Sequence, residues 1–242
     1  MVNVLVVIPT FNESENIVRL LSRLENAIFG LRDKFRVDIL IVDDNSPDKT
    51  ADIANSLDLS NLSILNNNRK LGLGPAYLSG FKLGLEGDYH YFVQMDADLS
   101  HLPEQLGDLL SAATIKNIVI GTRWMRGGSV VNWPLHRRII SRFGTKYASL
   151  LLSIACADLT SGYRVLPVQF LKLLDLDTIK TKGYGFQIEI ARKAHDYGFE
   201  IKQVPITFIE RENGRSKMGT RIVWEAWLNV SIWGFRRITS RR

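Results

Sequence analysis

Cysteine is almost absent from this sequence: Cys156 is the only one among 242 residues. A single thiol cannot form an intramolecular disulfide, and it cannot supply a cysteine-rich zinc site. A disulfide-stapled scaffold and a zinc ribbon are therefore both excluded, and a reducing compartment fits this composition.

Long apolar segments are also lacking. The apolar start at residues 4–8 is too short for a signal peptide and runs directly into a turn at Pro9. The apolar segment at residues 222–235 falls short of the roughly 20 residues that cross a bilayer. We therefore expect neither a cleaved leader nor a membrane-spanning helix.

Linkers, low-complexity segments and internal repeats are missing as well, so we expect one large α/β domain at residues 1–219. Residues 220–242 form a second predicted unit, an amphipathic helix with a basic tail. The formal net charge of +6 favours an anionic partner and leaves nucleic acid, a lipid head group and a phosphorylated substrate open. No RNA-binding motif is present, so we expect no nucleic-acid partner.

Strand-like and helix-like segments alternate along the first half of the chain. Apolar runs at residues 2–8 and 37–42 each lead into a polar turn and then a segment with helical periodicity. A third short strand at residues 63–66 precedes a helix that opens near Gly72 and reaches about Leu85. Successive strand–loop–helix units predict a mostly parallel sheet with right-handed crossovers.

The next strand ends in two acids. The segment YFVQMDADLS, residues 91–100, is apolar until Asp96 and Asp98. In open α/β sheets, ligands bind beyond the carboxyl ends of the strands, so both carboxylates would lie at a crevice. Paired carboxylates suit Mg²⁺ or Mn²⁺, which in turn bridges the phosphates of a nucleotide. The alternative is a turn with a helix cap, because Asp favours both places.

Polar loops after the first two strands would face the same crevice. Phe11 offers an aromatic surface for a base, and Glu13 and Asp44 offer carboxylate acceptors for a base or ribose. The alternatives are a core aromatic for Phe11 and helix capping for the two acids.

Four motifs follow one another along the chain: VIPTFNE at 7–13, VDDNSPD at 42–48, KLGLG at 70–74 and MDADLS at 95–100. Their order resembles that of the family 2 glycosyltransferases, most closely the polyprenyl-phosphate (dolichyl-phosphate) mannose synthases. The resemblance runs from about residue 3 to about residue 220. It implies a GT-A fold, a GDP-mannose donor, Mg²⁺ or Mn²⁺, and a polyprenyl or dolichyl phosphate acceptor.

Together with the resemblance, the residues define an expected site. The metal ligands are Asp96 and Asp98, with Asp98 favoured as the direct ligand. The catalytic residues are Asp98, Arg123, Arg211 and Lys217. The donor-binding residues are Pro9, Phe11, Glu13, Val42, Asp44, Asp96, Ala97, Asp98, Arg123, Arg211 and Lys217. The family often carries Gln two residues after the second Asp; Ser100 stands there in this chain, before His101, and leaves that part of the metal sphere open.

The acceptor side is expected near a helix start. Arg137 and Ser141 would grip the acceptor phosphate, as residues at these positions do in the resembled synthases, and Trp133 and Leu135 offer apolar surface for an isoprenoid chain. A basic, solvated helix face is the alternative. The strand at 118–122 would present Arg123 to the diphosphate of the donor. The alternative is that Arg123 is a surface arginine without a partner.

Three further segments carry weaker expectations. Asp158 is a candidate general base. A phosphate monoester acceptor needs no base, however, because its second pKa is about 6 and it is already an anion. We therefore expect Asp158 to have a positioning role. Residues 142–155 predict an amphipathic helix with Tyr147, Leu150, Leu151 and Ile154 inward. Gln187 and Glu189 would lie near the sugar or, as we favour, on the polar side of a core helix.

The C-terminal part combines an edge strand, a basic loop and an aromatic helix. Pro205 interrupts a strand at 200–210 and predicts a sheet edge. The loop with Arg211 and Lys217 would cover the donor diphosphate and exclude water, against the alternative of a plain basic loop. Three tryptophans, one acid and a cluster of arginines suit a helix in the lipid interface or, alternatively, one packed on the domain.

These features predict an inverting transferase that forms a β-D-mannosyl phosphate lipid. It would work peripherally on the cytoplasmic side of a membrane, the ER membrane in a eukaryote and the plasma membrane in a prokaryote, directly or through a small membrane subunit. Open alternatives are a UDP-glucose donor, nucleotidyl transfer, and a non-enzymatic basic module.

Overall fold

The computed structural model describes residues 1–210 and 220–239. The strands are β1 (Val2–Thr10), β2 (Phe35–Asp43), β3 (Leu62–Asn66), β4 (Tyr91–Gln94), β5 (Asn117–Thr122), β6 (Ser129–Val131), β7 (Arg164–Pro167), β8 (Glu200–Pro205) and β9 (Thr207–Ile209). The α-helices are α1 (Ser14–Phe29), α2 (Thr50–Asn55), α3 (Leu73–Gly84), α4 (Leu106–Ser111), α5 (Leu135–Leu152), α6 (Val168–Leu173), α7 (Gly183–Asp196) and α8 (Thr220–Thr239).

Seven strands form the central sheet in the order β3-β2-β1-β4-β7-β5-β8. All neighbours pair in parallel except β7, which runs antiparallel to both β4 and β5. The predicted mostly parallel sheet is therefore confirmed. Strand β7 was not predicted, because its four residues show no period of their own and depend on the two strands beside them.

Helices cover both faces of the sheet. Alternate β1 side chains pack on opposite sides: Val4 and Val6 join a core with α1, α2 and α4, whereas Leu5 and Val7 join one with α3, α5, α6 and α7. Burial on both faces explains why the central strands read as nearly continuous apolar runs. It also leaves the carboxyl edge of the parallel strands as the place for polar loops.

Helix α3 approaches the sheet closely through glycines. A Cβ on Gly80 would lie 2.5 Å from Val7 Cγ1, and one on Gly84 would lie 2.4 Å from Phe92 Cε1. Larger residues would push the helix away from β1 and β4. This contact sets the position of the loop that precedes α3 at the carboxyl edge of β2.

Two boundaries differ from the prediction. The helix expected from residue 142 begins at Leu135, so Arg137 and Ser141 lie within α5. Leu150 is 71% exposed rather than inward, because the buried stripe of α5 runs instead through Ala148 and Leu152. The strand expected at 200–210 divides: β8 forms the predicted edge beside β5, and β9 pairs with β6 in a separate two-stranded sheet.

Helix α8 packs on α5 and α7 by one side. Its Ala226 and Val230 are buried, and the Trp227 ring stacks on Tyr147 of α5 with centroids 4.6 Å apart. Trp224 and Leu228 are 73% and 62% exposed, so the helix is anchored and also presents an apolar surface. No helix in the described ranges is long and apolar enough to span a bilayer. A division of the chain at residue 219 stays a prediction.

Candidate active site

The acid pair follows β4, at the carboxyl edge beside β1. Asp98 is 8% exposed, and its Oδ1 accepts hydrogen bonds from the Ser100 backbone N–H (3.1 Å) and hydroxyl (2.5 Å). The turn between them places Leu99 at φ 61°. Asp96 is more open, with 29% of its side chain exposed, and its Oδ1 accepts from the Tyr77 hydroxyl at 3.4 Å. The predicted turn and the predicted pair of carboxylates therefore coexist.

The acids fit a hard divalent cation that is shared with a ligand. Asp96 and Asp98 offer carboxylate oxygens of the kind that Mg²⁺ and Mn²⁺ prefer. Nowhere in the described residues do three or more His, Cys, Asp or Glu side chains gather as a metal site. A cation held by two acids alone would complete its sphere with phosphate oxygens and water, as Mg²⁺ commonly does. Ser100 is bonded to Asp98, so it orients this carboxylate.

His101 supports the backbone of the acid pair through a hydrogen bond. It is 1% exposed, and its Nδ1 accepts the backbone N–H of Asp96 at 3.0 Å. Its ring stacks on Tyr163 with centroids 5.0 Å apart and meets Phe208 edge-on at 5.5 Å. Burial lowers the pKa of His101, against the opposing effect of Asp96 and Asp98. The imidazole is therefore neutral, with its proton on Nε2.

Hydrogen bonds join the loops after β1 and β2. Thr10 Oγ1 donates to Asp43 at 2.8 Å. The backbone N–H of Asn12 donates to the Ser46 hydroxyl in the second loop, and that of Glu13 donates to the Thr50 hydroxyl at the start of α2. This alignment brings Phe11 and the segment after β2 to one side of the crevice.

The predicted donor-side residues meet different partners there. Phe11 is half-buried, and the Lys70 ammonium lies 3.7 Å from its ring centroid, so Phe11 is not a core aromatic. Asp44 is buried and accepts the N–H groups of Leu71 (3.0 Å) and Gly72 (2.6 Å), which pins the loop before α3.

Glu13 lies at the start of α1. Its carboxylate accepts from Asn16 Nδ2 at 2.8 Å, and its backbone carbonyl receives the first N–H groups of the helix. Glu13 therefore caps α1, as the alternative interpretation expected, but through its backbone carbonyl and not through its side chain.

Three of the predicted donor-binding residues have small or apolar side chains. The side chains of Val42 and Ala97 are 0% and 4% exposed and pack into the two cores, so only their backbone lies at the crevice. Pro9 is half-buried at the end of β1. Arg211 and Lys217 fall outside the described residues.

Arg123 forms a buried ion pair with Asp158. Its Nε and Nη2 donate to the two carboxylate oxygens at 2.6 and 2.7 Å, and its backbone N–H donates to Oδ2 at 3.2 Å. Arg123 is 4% exposed, so the alternative of an unpartnered surface arginine is wrong. Burial lowers the pKa of Arg123, but the charge and hydrogen bond of Asp158, together with Tyr184 and Asp96, outweigh burial, so the pKa is raised.

The same geometry argues against Asp158 as a base. Its carboxylate is fully buried and also accepts from the Thr160 hydroxyl at 3.1 Å. Its acceptor sites point into the protein, which fits the predicted positioning role.

An apolar pocket opens between α5, α7 and α8. Its walls include Ile140, Tyr147, Ile188, Trp227 and Val230, and Trp133, Arg137, Ser141, Thr160 and Tyr184 line it as well. The predicted acceptor residues thus share one pocket. The expected apolar partner Leu135 lies instead in a neighbouring pocket with Arg138 and Arg142.

The polar side chains of the pocket are oriented by neighbours. The Arg137 guanidinium lies 4.1 Å from the Trp133 ring centroid and is paired with Glu210. Ser141 Oγ accepts from the Trp124 indole N–H at 3.3 Å. Sequence patterns did not reveal Glu210, Tyr184 or His101 as parts of the site, because each reaches it through contacts distant along the chain.

Comparisons with known proteins agree with this architecture. The chain is 45% identical over 233 residues to undecaprenyl-phosphate mannosyltransferase of Micrococcus luteus, covering 96% of this chain and 93% of that protein. It is 42% identical over 236 residues to polyprenol monophosphomannose synthase of Mycolicibacterium smegmatis, covering 96% and 87%. Dolichol-phosphate mannosyltransferase of Pyrococcus furiosus is 36% identical over 226 residues, covering 91% and 60%.

Solved structures share the fold at low identity. Glucosyl-3-phosphoglycerate synthase from Mycobacterium tuberculosis, in complex with Mn²⁺, UDP-glucose and glycerol 3-phosphate, superposes with a TM-score of 0.66 at 16% identity, covering 96% of this chain and 79% of that one. Mannosyl-3-phosphoglycerate synthase from Rubrobacter xylanophilus gives 0.63 at 17%, covering 99% and 75%. The predicted GT-A fold is confirmed.

The family model described as glycosyl transferase family 2 matches residues 5–174, which span β1 through α6 and include the acid pair. With that match and the two relatives above 40% identity, the chain belongs to glycosyl transferase family 2.

Proposed function

We propose that this protein transfers mannose from GDP-mannose to a polyprenyl or dolichyl phosphate with inversion, giving a β-D-mannosyl phosphate lipid. The observation that carries the proposal is the pocket between α5, α7 and α8, which joins apolar walls to Arg137 and Ser141. An isoprenoid phosphate has the same division into apolar chain and charged head. The names of the relatives at 45% and 42% identity support mannosyl transfer and a polyprenyl phosphate acceptor.

The acceptor needs little chemical activation. A phosphate monoester carries about 1.5 to 2 negative charges near pH 7 and is itself the nucleophile. Arg137 and Ser141 would hold it by charge-assisted hydrogen bonds, in line behind the anomeric carbon. No general base is required, which agrees with the occupied carboxylate of Asp158. Rate would come from positioning and charge neutralisation.

The donor would lie along the carboxyl edge of β1, β2 and β4. Phe11, Glu13 and Asp44, with the backbone of Pro9, Val42 and Ala97, would surround the nucleoside. Mg²⁺ or Mn²⁺ held by Asp96 and Asp98 would supply positive charge to the diphosphate of the departing GDP. Arg211 and Lys217 would add cations to the same diphosphate. Arg123 would contribute less, because Asp158 already balances its charge.

Membrane contact is the second part of the proposal. Helices α5 and α8 together expose large apolar side chains: Leu135, Ile139, Ile140, Phe143, Leu150, Trp224, Trp227, Leu228, Ile232 and Phe235. Helix α5 carries several basic residues and no acid. Exposed apolar side chains combined with basic residues are typical of interfacial helices. We place the protein peripherally on the cytoplasmic side of a membrane, directly or through a small membrane subunit.

A single assay tests the reaction. Purified protein is incubated with Mg²⁺ or Mn²⁺, a short polyprenyl phosphate and radiolabelled GDP-mannose or UDP-glucose, and the lipid is then extracted. We expect label in the lipid from GDP-mannose, with release of GDP. Label from UDP-glucose alone would overturn the donor, release of pyrophosphate would indicate nucleotidyl transfer, and lipid binding without turnover would refute a transferase.

A further inference from the structure

Three buried side chains beside the acid pair each carry at least one polar atom that has no hydrogen-bond partner within the described part of the chain. They are Gln187, through both Nε2 and Oε1, Ser161 through Oγ, and His101 through Nε2. Gln187 and Ser161 are each 2% exposed. Nearly all buried polar groups in proteins are paired, and leaving one unpaired is destabilising. These three residues form what we call the buried polar cluster.

The buried polar cluster converges on Gly162. A Cβ on this glycine would lie 3.3 Å from His101 Cε1, 3.5 Å from Gln187 Nε2 and 3.5 Å from Asp96 Oδ1. Ser161 is the preceding residue in the chain. Gly162 has no side chain, so the side chains of Gln187, His101 and Asp96 approach one another around its α-carbon, and of the two acids Asp96 is the more open.

A single guanidinium holds this arrangement in place. Arg164 is fully buried and donates from Nη1 to the Gln187 carbonyl (2.6 Å), from Nε to the Ser161 carbonyl (2.8 Å) and from Nη2 to the Leu159 carbonyl (2.7 Å). Burial lowers the pKa of Arg164 to about 10. Arg164 therefore ties the N-terminal part of α7 to the loop before β7. Two residues whose side chains are unpaired are thus rigidly positioned, as in a binding site.

We propose that Gln187, with Ser161 and His101, recognises hydroxyl groups of the hexose that the donor carries. This inference rests on the proposed function, in which the hexose is covalently attached to the diphosphate that would lie at Asp96 and Asp98. Sugar hydroxyls both donate and accept hydrogen bonds, and the glutamine amide offers one group of each kind. A buried site built for a hydroxyl discriminates strongly against substrates that lack it. Gln187 is then a specificity-determining residue.

The first experiment separates the hexose from the nucleotide. Gln187→Leu removes the amide at similar volume, and we expect the KM for GDP-mannose to rise about tenfold, as for one lost hydrogen bond. The Ki of GDP, which has no hexose, should not change. Gln169→Leu, on the exposed side of α6, is the matched control and should change neither constant. Ser161→Ala provides a smaller second variant if Gln187→Leu does not fold.

The second experiment identifies the hydroxyl. Wild-type protein and Gln187→Leu are compared on GDP-mannose and on its 2-, 3-, 4- and 6-deoxy analogues. We expect one analogue that impairs the wild type but does not impair Gln187→Leu further. Equal losses on GDP and GDP-mannose, or additive losses on every analogue, would overturn the inference and assign the cluster a structural role. If the wild type uses UDP-glucose instead, the proposed donor fails, and the same comparison runs with deoxyglucose donors.

Discussion

Breaking the Arg123–Asp158 ion pair tests how the site is supported. Asp158→Leu leaves a guanidinium that is 4% exposed without its carboxylate, and Arg123→Met leaves a carboxylate that is 0% exposed without its cation. Removing one partner of a buried pair costs about 3–5 kcal/mol, because the remaining charge cannot reach water. We expect each single variant to lose that much unfolding free energy.

The double variant should lose much less than the sum. It leaves no buried charge, and the losses that remain are three hydrogen bonds, about 1 kcal/mol each. Asp158 no longer accepts from the Thr160 hydroxyl and the Arg123 backbone N–H, and Arg123 Nη2 no longer donates to Thr160 Oγ1. The coupling energy between the two sites should therefore be at least about 3 kcal/mol.

Urea unfolding followed by tryptophan fluorescence measures these values, since Trp124 and Trp133 lie within 5.6 and 5.1 Å of the Arg123 guanidinium carbon. The pair of Arg192 and Asp196 on α7, whose side chains are 25% and 46% exposed, is the control, and Asp196→Ala should cost under about 1 kcal/mol. Single losses as small as the control, or additive losses in the double variant, would refute the reasoning.

Four other predictions concern packing, metal, acceptor and membrane. Gly84→Ala should cost about 1–3 kcal/mol, since its Cβ would lie 2.4 Å from a phenylalanine ring of β4, whereas Gly144→Ala, with nothing within 4 Å, should gain about 1 kcal/mol in urea unfolding. Asp98→Asn should abolish mannosyl transfer while the thermal midpoint is kept, and EDTA should have the same effect on the wild type. Arg137→Ala should raise the KM for polyprenyl phosphate roughly tenfold or more and keep the KM for GDP-mannose. Trp224→Glu should reduce flotation with anionic vesicles without a change in the thermal midpoint, because this side chain is 73% exposed.

Each of these has a contrary outcome. Equal stability of the two glycine variants would contradict the close approach of α3 to the sheet. Full turnover in EDTA would remove the metal from the proposal. A loss of GDP-mannose affinity in Arg137→Ala would move that residue to the donor side, and unchanged flotation of Trp224→Glu would move the membrane contact elsewhere.

Local pattern alone determined much of the architecture. The apolar runs that end at Pro9, Asp43 and Asp96 predict parallel strands whose loops share an edge, because period and turn chemistry are properties of neighbouring residues. Pro205 likewise predicted the edge strand that β8 forms. Local sequence is therefore sufficient to place the acid pair at the carboxyl edge of the sheet.

Tertiary structure decided how the polar residues are paired. Arg123 pairs with a carboxylate 35 positions away, and Asp44 accepts hydrogen bonds from backbone N–H groups 27 and 28 residues later. Strand β7 forms only between the two strands that pair with it. Gly162, Gln187 and His101 converge through folds of the chain that no local spacing encodes. The physical reason is that periodicity tells which face of an element is buried, whereas the partner of a buried charge or amide depends on which distant segment packs there.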